Sequence, residues 1–428
     1  MWSGVLSETT FAMKFSSYQK LVIAILAFLQ FTVVLDFMIL SPLGAILLEE
    51  LHVAPAQFGL VVSAYAFSAG ASGLLAAGFA DKFDRKKLLL FFYSGFVLGT
   101  VLCGVAPTYS FLLVARTVTG LFGGVIGSIA FAIIADLFPF EMRGRVMGIV
   151  MTAFAAAQVL GIPVGLYLAT KWGWHSTFMM IAAVSVAVGV VIVAKLRPID
   201  EHLKKPTQRN AFRHLLATVA RGRYQWGFTS TMLLAIGGFM LMPFGSAFCV
   251  HNMGISIERL PLLYMFTGFA AIVAGPVMGR ISDALGKLPT FIGGSVVGTA
   301  LVLYYTRLGI TPLWFAIALN IVLFVAITAR MIAAQALASA IPEPQDRGAY
   351  MSISASLQQL AGGVASSAAG LIVTQNGDGP LEHYERLGYV VAAAMLVTVV
   401  MMHKINRLVA AGGRSVAVAP DTAQVPTE

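Results

Sequence analysis

Asp36 stands about halfway along the apolar stretch LVIAILAFLQFTVVLDFMILSPLGAI, residues 21–46. Of the 19 Asp and Glu it alone lies deep inside such a stretch, the others falling in loops, tails or at stretch ends. A carboxylate in hydrocarbon is costly, so it lines a water-filled path or pairs with a cation. Burial disfavours its charged form and a neighbouring cation favours it. A group balanced between the two can load and release a proton as its surroundings change. The alternative is a static ion pair or a polar packing contact. Two cations, Arg116 and Arg330, also lie inside apolar stretches. Arg116 is the natural partner of Asp36, although counting residues from the stretch ends puts its backbone about two turns further out. The alternative for Arg116 is snorkelling to the outer surface. Arg330 either faces a cavity and attracts an anionic substrate, or snorkels inward.

Other side chains are candidates for a substrate cavity at the same depth. Phe37, Met38, Phe239 and Met240 flank Pro42 and Pro243, and methionine gives an adaptable apolar lining. Asn320, Ser356 and Gln359 are polar side chains inside apolar stretches. No phosphate-binding glycine loop of the Walker type is present, and the seven histidines are scattered without ligand spacing. Neither ATP drive nor an enzyme active site finds a motif, and no cofactor or metal is expected. Cys103 and Cys249 form no disulfide framework.

The elements that hold these residues follow from composition. Of 428 residues, 58% are hydrophobic and 11% charged, with mean hydropathy +0.85. A soluble domain carries about twice that charged share. Apolar stretches of about 20 residues recur, as helices crossing a bilayer require. They predict twelve spans, near 21–46, 57–80, 88–106, 110–136, 146–169, 176–195, 224–249, 259–281, 289–306, 312–338, 349–374 and 387–406. The first is too long for a signal peptide. The expected organisation is a lead, 1–19; a six-helix half, 20–195; a central loop, 196–223, in which 211–220 reads as an amphipathic surface helix; a second half, 224–408; and a disordered tail, 409–428. The net charge of +9 is a matter of topology and not of nucleic-acid binding. With the N-terminus inside, only Lys171, Arg259, Arg307 and Arg386 fall outside, so both termini are expected in the cytoplasm.

The chain also repeats itself after about 200 residues, in parallel orientation. Pro42-Leu43-Gly44 matches Pro243-Phe244-Gly245, and Arg143-Gly144 matches Arg347-Gly348. Small residues recur every fourth position at Ala69, Gly73 and Ala77, at Ala271, Gly275 and Gly279, at Ala157, Gly161 and Gly165, and at Ala361, Ala365 and Ala369. Such stripes let helices approach closely. The charged loop AGFADKFDRKK, residues 77–87, has its counterpart in GRISDALGK, residues 279–287.

These paired loops resemble the signature of the major facilitator superfamily, G-x-x-x-D-[RK]-x-G-[RK]-[RK]. Asp81, Lys82, Arg85 and Lys86 match in the first copy, where Ala77 and Asp84 replace glycines. Gly279, Asp283, Gly286 and Lys287 match in the second, where Ala284 replaces a cation. Arg116 followed by Gly120 resembles the family's fourth-span motif, whose arginine is associated with proton coupling. Gly161, Pro163 and Gly165 resemble a degraded antiporter motif. The resemblance implies an all-helical fold of two pseudo-symmetric six-helix halves, with span 2 against 11 and span 5 against 8. It implies that the loops act as a conformational latch, Asp81 facing Gly348–Met351 and Asp283 facing Arg145–Met147. The branch most like this chain is the drug:proton antiporters. The expected protein is a monomeric secondary transporter in a bacterial inner membrane, driven by the proton gradient and exporting a small amphipathic molecule. A proton-coupled importer, a sugar exporter or a non-transporting receptor with the same fold are the alternatives.

Overall fold

The computed structural model describes residues 15–76, 79, 82–204, 211–343, 346–377 and 379–416. Its helices are α1 (Ser17–Ile39), α2 (Gly44–Glu50), α3 (Pro55–Ala76), α4 (Arg85–Gly104), α5 (Tyr109–Leu137), α6 (Phe140–Ala156), α7 (Ile162–Trp172), α8 (His175–Lys195), α9 (Ala211–Ala220), α10 (Gly222–Phe239), α11 (Gly245–His251), α12 (Leu260–Leu285), α13 (Lys287–Tyr305), α14 (Leu313–Ser339), α15 (Arg347–Ile372) and α16 (Tyr384–Val416). A two-residue hairpin, Thr374–Gln375 with Leu381–Glu382, precedes α16.

The fold is all-α, with twelve crossing units in two six-helix halves joined through α9. Two crossings are broken, and a third is locally rewound, where proline removes a backbone donor and clashes with the preceding turn. Residues 40–43, with Pro42, separate α1 from α2, and a 3-10 turn, Met242–Phe244, separates α10 from α11. A π turn, Ala157–Gly161, sits just ahead of Pro163 and joins α6 to α7. Among the described residues, 11 helical units are long and apolar enough to cross a membrane. The twelfth, α15, has 26 residues, which at 1.5 Å each is also enough. Its lower hydropathy comes from Ser352, Ser354, Ser356, Gln358, Gln359, Ser366 and Ser367, several of which bind or pack across to α3.

Call the end that carries Lys86, Lys195, Arg223 and Lys287 the basic end. The apolar packing differs between the two ends. At the far end one continuous core draws on α1, α2, α7, α8, α10, α11, α14 and α16, and so belongs to both halves. At the basic end there are two cores, one formed by the first half and one mainly by the second. The far ends of α3 and α15 meet backbone to backbone, since a Cβ on Gly59 would lie 2.7 Å from the Ser366 carbonyl oxygen. Across the other seam, a Cβ on Gly268 of α12 would lie 3.0 Å from Val159 Cα. At the basic end the seam parts. Among the described residues, Gly144, Gly148, Gly275, Gly279 and Gly348 meet no neighbouring element within 4 Å of where a Cβ would stand. The halves are thus sealed at the far end and along α3–α15, and open between α6 and the basic half of α12.

The small-residue stripes are used unequally. Gly73 meets Ser356 across the α3–α15 seam as expected. Gly161 instead faces α1 against Leu35, Gly165 meets Ile39 of α1 and Thr177 of α8, and the approach of α12 to the π turn rests on Gly268 against Gln158 and Val159. The π turn explains this, because its wider winding rotates the glycines away from α12. Helix α9 forms over the residues expected of it, and it is tied to the start of α15 through His214 Nε2, 3.5 Å from Asp346 Oδ1. The last helix continues to Val416, into the segment expected to be a tail.

Candidate functional site

The deep carboxylate is found with its expected cation. Arg116 Nη1 donates to Asp36 Oδ2 at 2.7 Å and reaches the Asp36 carbonyl oxygen at 3.3 Å. Both side chains are essentially inaccessible to solvent. The offset in depth disappears because Asp36 sits in the last turn of α1, just before the break, and Arg116 in the second turn of α5 from the far end. Thr100 Oγ1 of α4 is 3.2 Å from Asp36 Oδ1, so three helices meet at this carboxylate. The Tyr65 ring of α3 lies under the guanidinium, 4.5 Å from centroid to Cζ. Arg116 Nε has no hydrogen-bond partner.

Close helix contact positions these groups. A Cβ on Gly120 would stand 2.4 Å from the Tyr65 carbonyl oxygen and 2.2 Å from Ser68 Oγ. Only glycine lets α5 come this near to α3, and that approach brings Arg116 over Tyr65 one turn away. A Cβ on Gly161 would meet the Leu35 side chain at 2.6 Å, and one on Gly165 would meet Ile39 and Thr177 at 2.9 Å. Cys103 Sγ of α4 lies 3.7 Å from Thr119 Oγ1 of α5 beside the pair. Thr100, Tyr65 and Thr119 were not singled out in the sequence, and Cys103 only as a cysteine without a disulfide framework. Thr100 and Cys103 share a face of α4, but polar residues of that size recur throughout the chain and nothing in their spacing points to Asp36.

The cavity candidates separate into two groups. Phe37, Met38, Phe239 and Met240 gather at the inter-half seam, with the Phe37 and Phe239 ring centroids 5.7 Å apart. Asn320 is half-buried and returns its amide to the Ala316 carbonyl oxygen at 2.9 Å. Gln359 is half-buried on α15. Ser356 is buried in the α3–α15 contact, against Gly73. Arg330 neither lines the seam nor snorkels to the surface. It is buried between α13, α14 and α16, with Nη2 donating to Thr398 Oγ1 at 2.9 Å and Cζ 5.2 Å from the Phe291 ring. The cation leaves α14 on the side of its own half, and its Nη1 is unpartnered.

Asp81 lies outside the described residues. In the same loop Asp84 caps α4, its carboxylate accepting from the backbone N–H of Lys86 at 2.7 Å and Lys87 at 3.1 Å. That is why an aspartate stands where glycine is usual. Arg85 is buried and pairs with Asp136 at the end of α5, 3.0 Å away, while Lys82 is exposed. In the second loop Gly286, at φ +96°, makes the sharp turn between α12 and α13. Asp283 does not face Arg145–Met147. Its side chain is 76% exposed and pairs with Lys287 in its own turn, because the basic end is open here. Exposed pairs of this kind contribute about 0.5 kcal/mol or less. Asp283→Ala is therefore expected to leave thermal unfolding almost unchanged while altering the balance between open and closed forms. A loss of several degrees would show a structural role.

Comparison with known proteins agrees with this geometry. The sequence profile described as Major Facilitator Superfamily matches residues 26–366 and 227–411. The chain is 27% identical over 279 residues to the uncharacterised MFS-type transporter YceJ of Bacillus subtilis, covering 63% of this chain and 69% of the relative. It is 31% identical over 149 residues to multidrug resistance protein 3 of Bacillus subtilis, covering 35% of this chain and 29% of the relative. A bacterial homologue of the human lysosomal transporter Spinster, solved in an inward-facing and occupied conformation, has the same fold with a TM-score of 0.68. That match is 17% identical and covers 94% of this chain and 98% of the other. A profile that takes in nearly the whole chain, two six-helix halves and a seam open at one end lead to one conclusion: the chain belongs to the Major Facilitator Superfamily and is a secondary transporter working by alternating access.

Proposed function

We propose that the protein exports a small amphipathic molecule in exchange for protons, as a member of the drug:proton antiporter branch. The observation that carries this reading is the sealed Asp36–Arg116 pair beside the seam between the halves. Among the described residues only Asp36 and Asp346 are carboxylates buried this deeply, and Asp346 sits at the basic end, held by Arg221 and Tyr224. Asp36 is then the proton carrier and Arg116 the group that sets when it ionises. Phe37, Met38, Phe239 and Met240 supply the apolar contact for the exported molecule. Asn320 and Gln359 complete the polar lining. The likeness to multidrug resistance protein 3 supports the efflux direction. So does the antiporter-like spacing of Gly161, Pro163 and Gly165, whose glycines pack against Leu35 and Ile39 of α1.

The basic end faces the cytoplasm on this reading, since cations collect on that side of bacterial inner-membrane proteins. The open seam is then the inward-open state, both termini are cytoplasmic, and the monomer is the working unit. Asp81, Lys82, Arg85, Gly279, Asp283, Gly286 and Lys287 form the cytoplasmic latch that engages when the seam closes. The test is uptake of a compound panel into inside-out vesicles with an imposed pH gradient. Accumulation of amphipathic cations or neutral amphiphiles, collapsing with a protonophore, is the expected result. Accumulation that ignores the protonophore would overturn proton coupling, and gradient-driven loss from the vesicles would reverse the direction.

A further inference from the structure

The breaks in α1 and α10 lie against each other at the far end. Breaking a helix leaves carbonyl groups without a partner, and in a membrane each must find one. Here the Ser41 and Met242 carbonyl oxygens accept from Gly44 N–H and Gly245 N–H within their own halves, and each takes a second donor from the opposite half. Ser41 Oγ donates to the Met242 carbonyl oxygen, and Ser246 Oγ donates to the Ser41 carbonyl oxygen at 2.7 Å. Ser246 Oγ also accepts from Ala45 N–H at 3.3 Å. This exchange ties the halves together where the far end is sealed.

A chain of rings runs from the buried ion pair to that exchange. The Arg116 guanidinium lies on Tyr65. The Tyr65 ring is 5.3 Å from that of Phe37, and Phe37 is 5.7 Å from Phe239. Phe37 follows Asp36 in the sequence and Phe239 is the last residue of α10, directly before the break. Phe239 also packs on α15, where a Cβ on Gly362 would be 3.0 Å from the ring. The titratable groups around Asp36 from the packed helices are Arg116, Tyr65 and Cys103.

We propose that Tyr65, Phe37 and Phe239 are positioning residues that pass the charge state of Asp36 to the Ser41–Ser246 exchange, so that the ionised form holds the far side sealed and the neutral, proton-loaded form is free to open and close it. The inference rests on Asp36 being the proton carrier. With Asp36 ionised, Arg116 is held at 2.7 Å and its guanidinium fixes the Tyr65 face. Tyr65 then holds Phe37 against Phe239, which keeps the end of α10 on the end of α1. A neutral side chain at 36 removes the charge attraction and leaves Arg116 held by neutral acceptors such as the Asp36 carbonyl oxygen, so the guanidinium grips the Tyr65 face less firmly and the rings repack. Energetic coupling between distant sites passes through elements with two arrangements that both sites bias.

The test is a cycle of four proteins in lipid nanodiscs, with spin labels at Trp172→Cys and Ile310→Cys. These far-end positions are 73% and 94% exposed, one in each half. The native cysteines are buried. Asp36→Asn mimics the neutral form and is expected to raise the ratio of long to short distances roughly tenfold, a usual size for such coupling. In the Phe239→Ala background the same substitution is expected to change the ratio less than about twofold, and Phe239→Tyr should restore the response. An equal shift in both backgrounds overturns the ring pathway and leaves Asp36 as the carrier. No shift from Asp36→Asn in the otherwise native protein overturns the pathway, and gradient-driven transport by the same variant decides separately whether Asp36 is the carrier. Phe37→Leu, which keeps volume without the ring, repeats the cycle should Phe239→Ala fail to fold.

Discussion

Asp36→Asn is expected to reduce pH-gradient-driven transport to the level of vesicles without protein, while substrate binding and counterflow without a gradient survive. Asparagine keeps the shape of aspartate and cannot ionise, so it carries no proton through the cycle. The substitution also leaves Arg116 buried without its counter-charge. Stranding one partner of a buried pair costs on the order of 3–5 kcal/mol. Lost transport could then reflect unfolding, and a second variant separates the two causes. Asp36→Asn combined with Arg116→Gln removes the stranded cation, and should unfold at a higher temperature than Asp36→Asn alone yet stay uncoupled. Arg116→Ala on its own should displace the pH optimum as well as slow transport, because the charge nearest the carboxylate is gone. Full gradient-driven transport by Asp36→Asn, measured in vesicles, would make the ion pair structural.

The ion pair could be read from the sequence because charge inside an apolar stretch is rare and costly. One carboxylate and two cations leave few pairings, and Asp36 with Arg116 is the pairing the fold adopts. The repeat was legible for a similar reason: prolines and charged loops recur in register, and Pro42 and Pro243 do mark paired breaks. Arg330 shows where such reading stops. Depth along a helix can be counted, but the side of α14 it leaves depends on how three helices pack. The neighbours of Asp36 were hidden likewise. Thr100 and Tyr65 are ordinary residues until Gly120 brings α5 against α3. The stripe at Gly161 and Gly165 keeps its four-residue spacing, yet the π turn beside it changes which helix it meets. Spacing alone carries no information on local winding. The state of the latch was equally out of reach, since Asp283 can pair with Lys287 or face the other half depending on which end is open.

Gly59→Leu is expected to hold the far end open and stop turnover. The far ends of α3 and α15 leave no room for side chains between them. A Cβ on Gly59 would sit 2.7 Å from the Ser366 carbonyl oxygen, and one on Gly370 would sit 2.8 Å from that of Pro55. Ser63 reinforces the contact, donating to the Gly363 carbonyl oxygen at 2.8 Å and accepting from Ser367 Oγ at 2.7 Å. Backbone cannot yield as a flexible side chain does, so leucine must push the helices apart. Overpacking of a close contact costs about 1–3 kcal/mol. That is enough to move an equilibrium between two states by about 5- to 150-fold. The cost falls only on the form with the far end sealed, because separated halves have room for the side chain. Distances between Trp172→Cys and Ile310→Cys labels should lengthen, and those between Gly148→Cys and Leu285→Cys labels at the basic end should shorten as the halves rock. Gly293→Leu on the exposed side of α13, where a Cβ meets no atom within 4 Å, is the control and should change neither. A Gly59→Leu protein that folds, transports and keeps native distances at both ends would mean that the α3–α15 contact takes no part in the cycle.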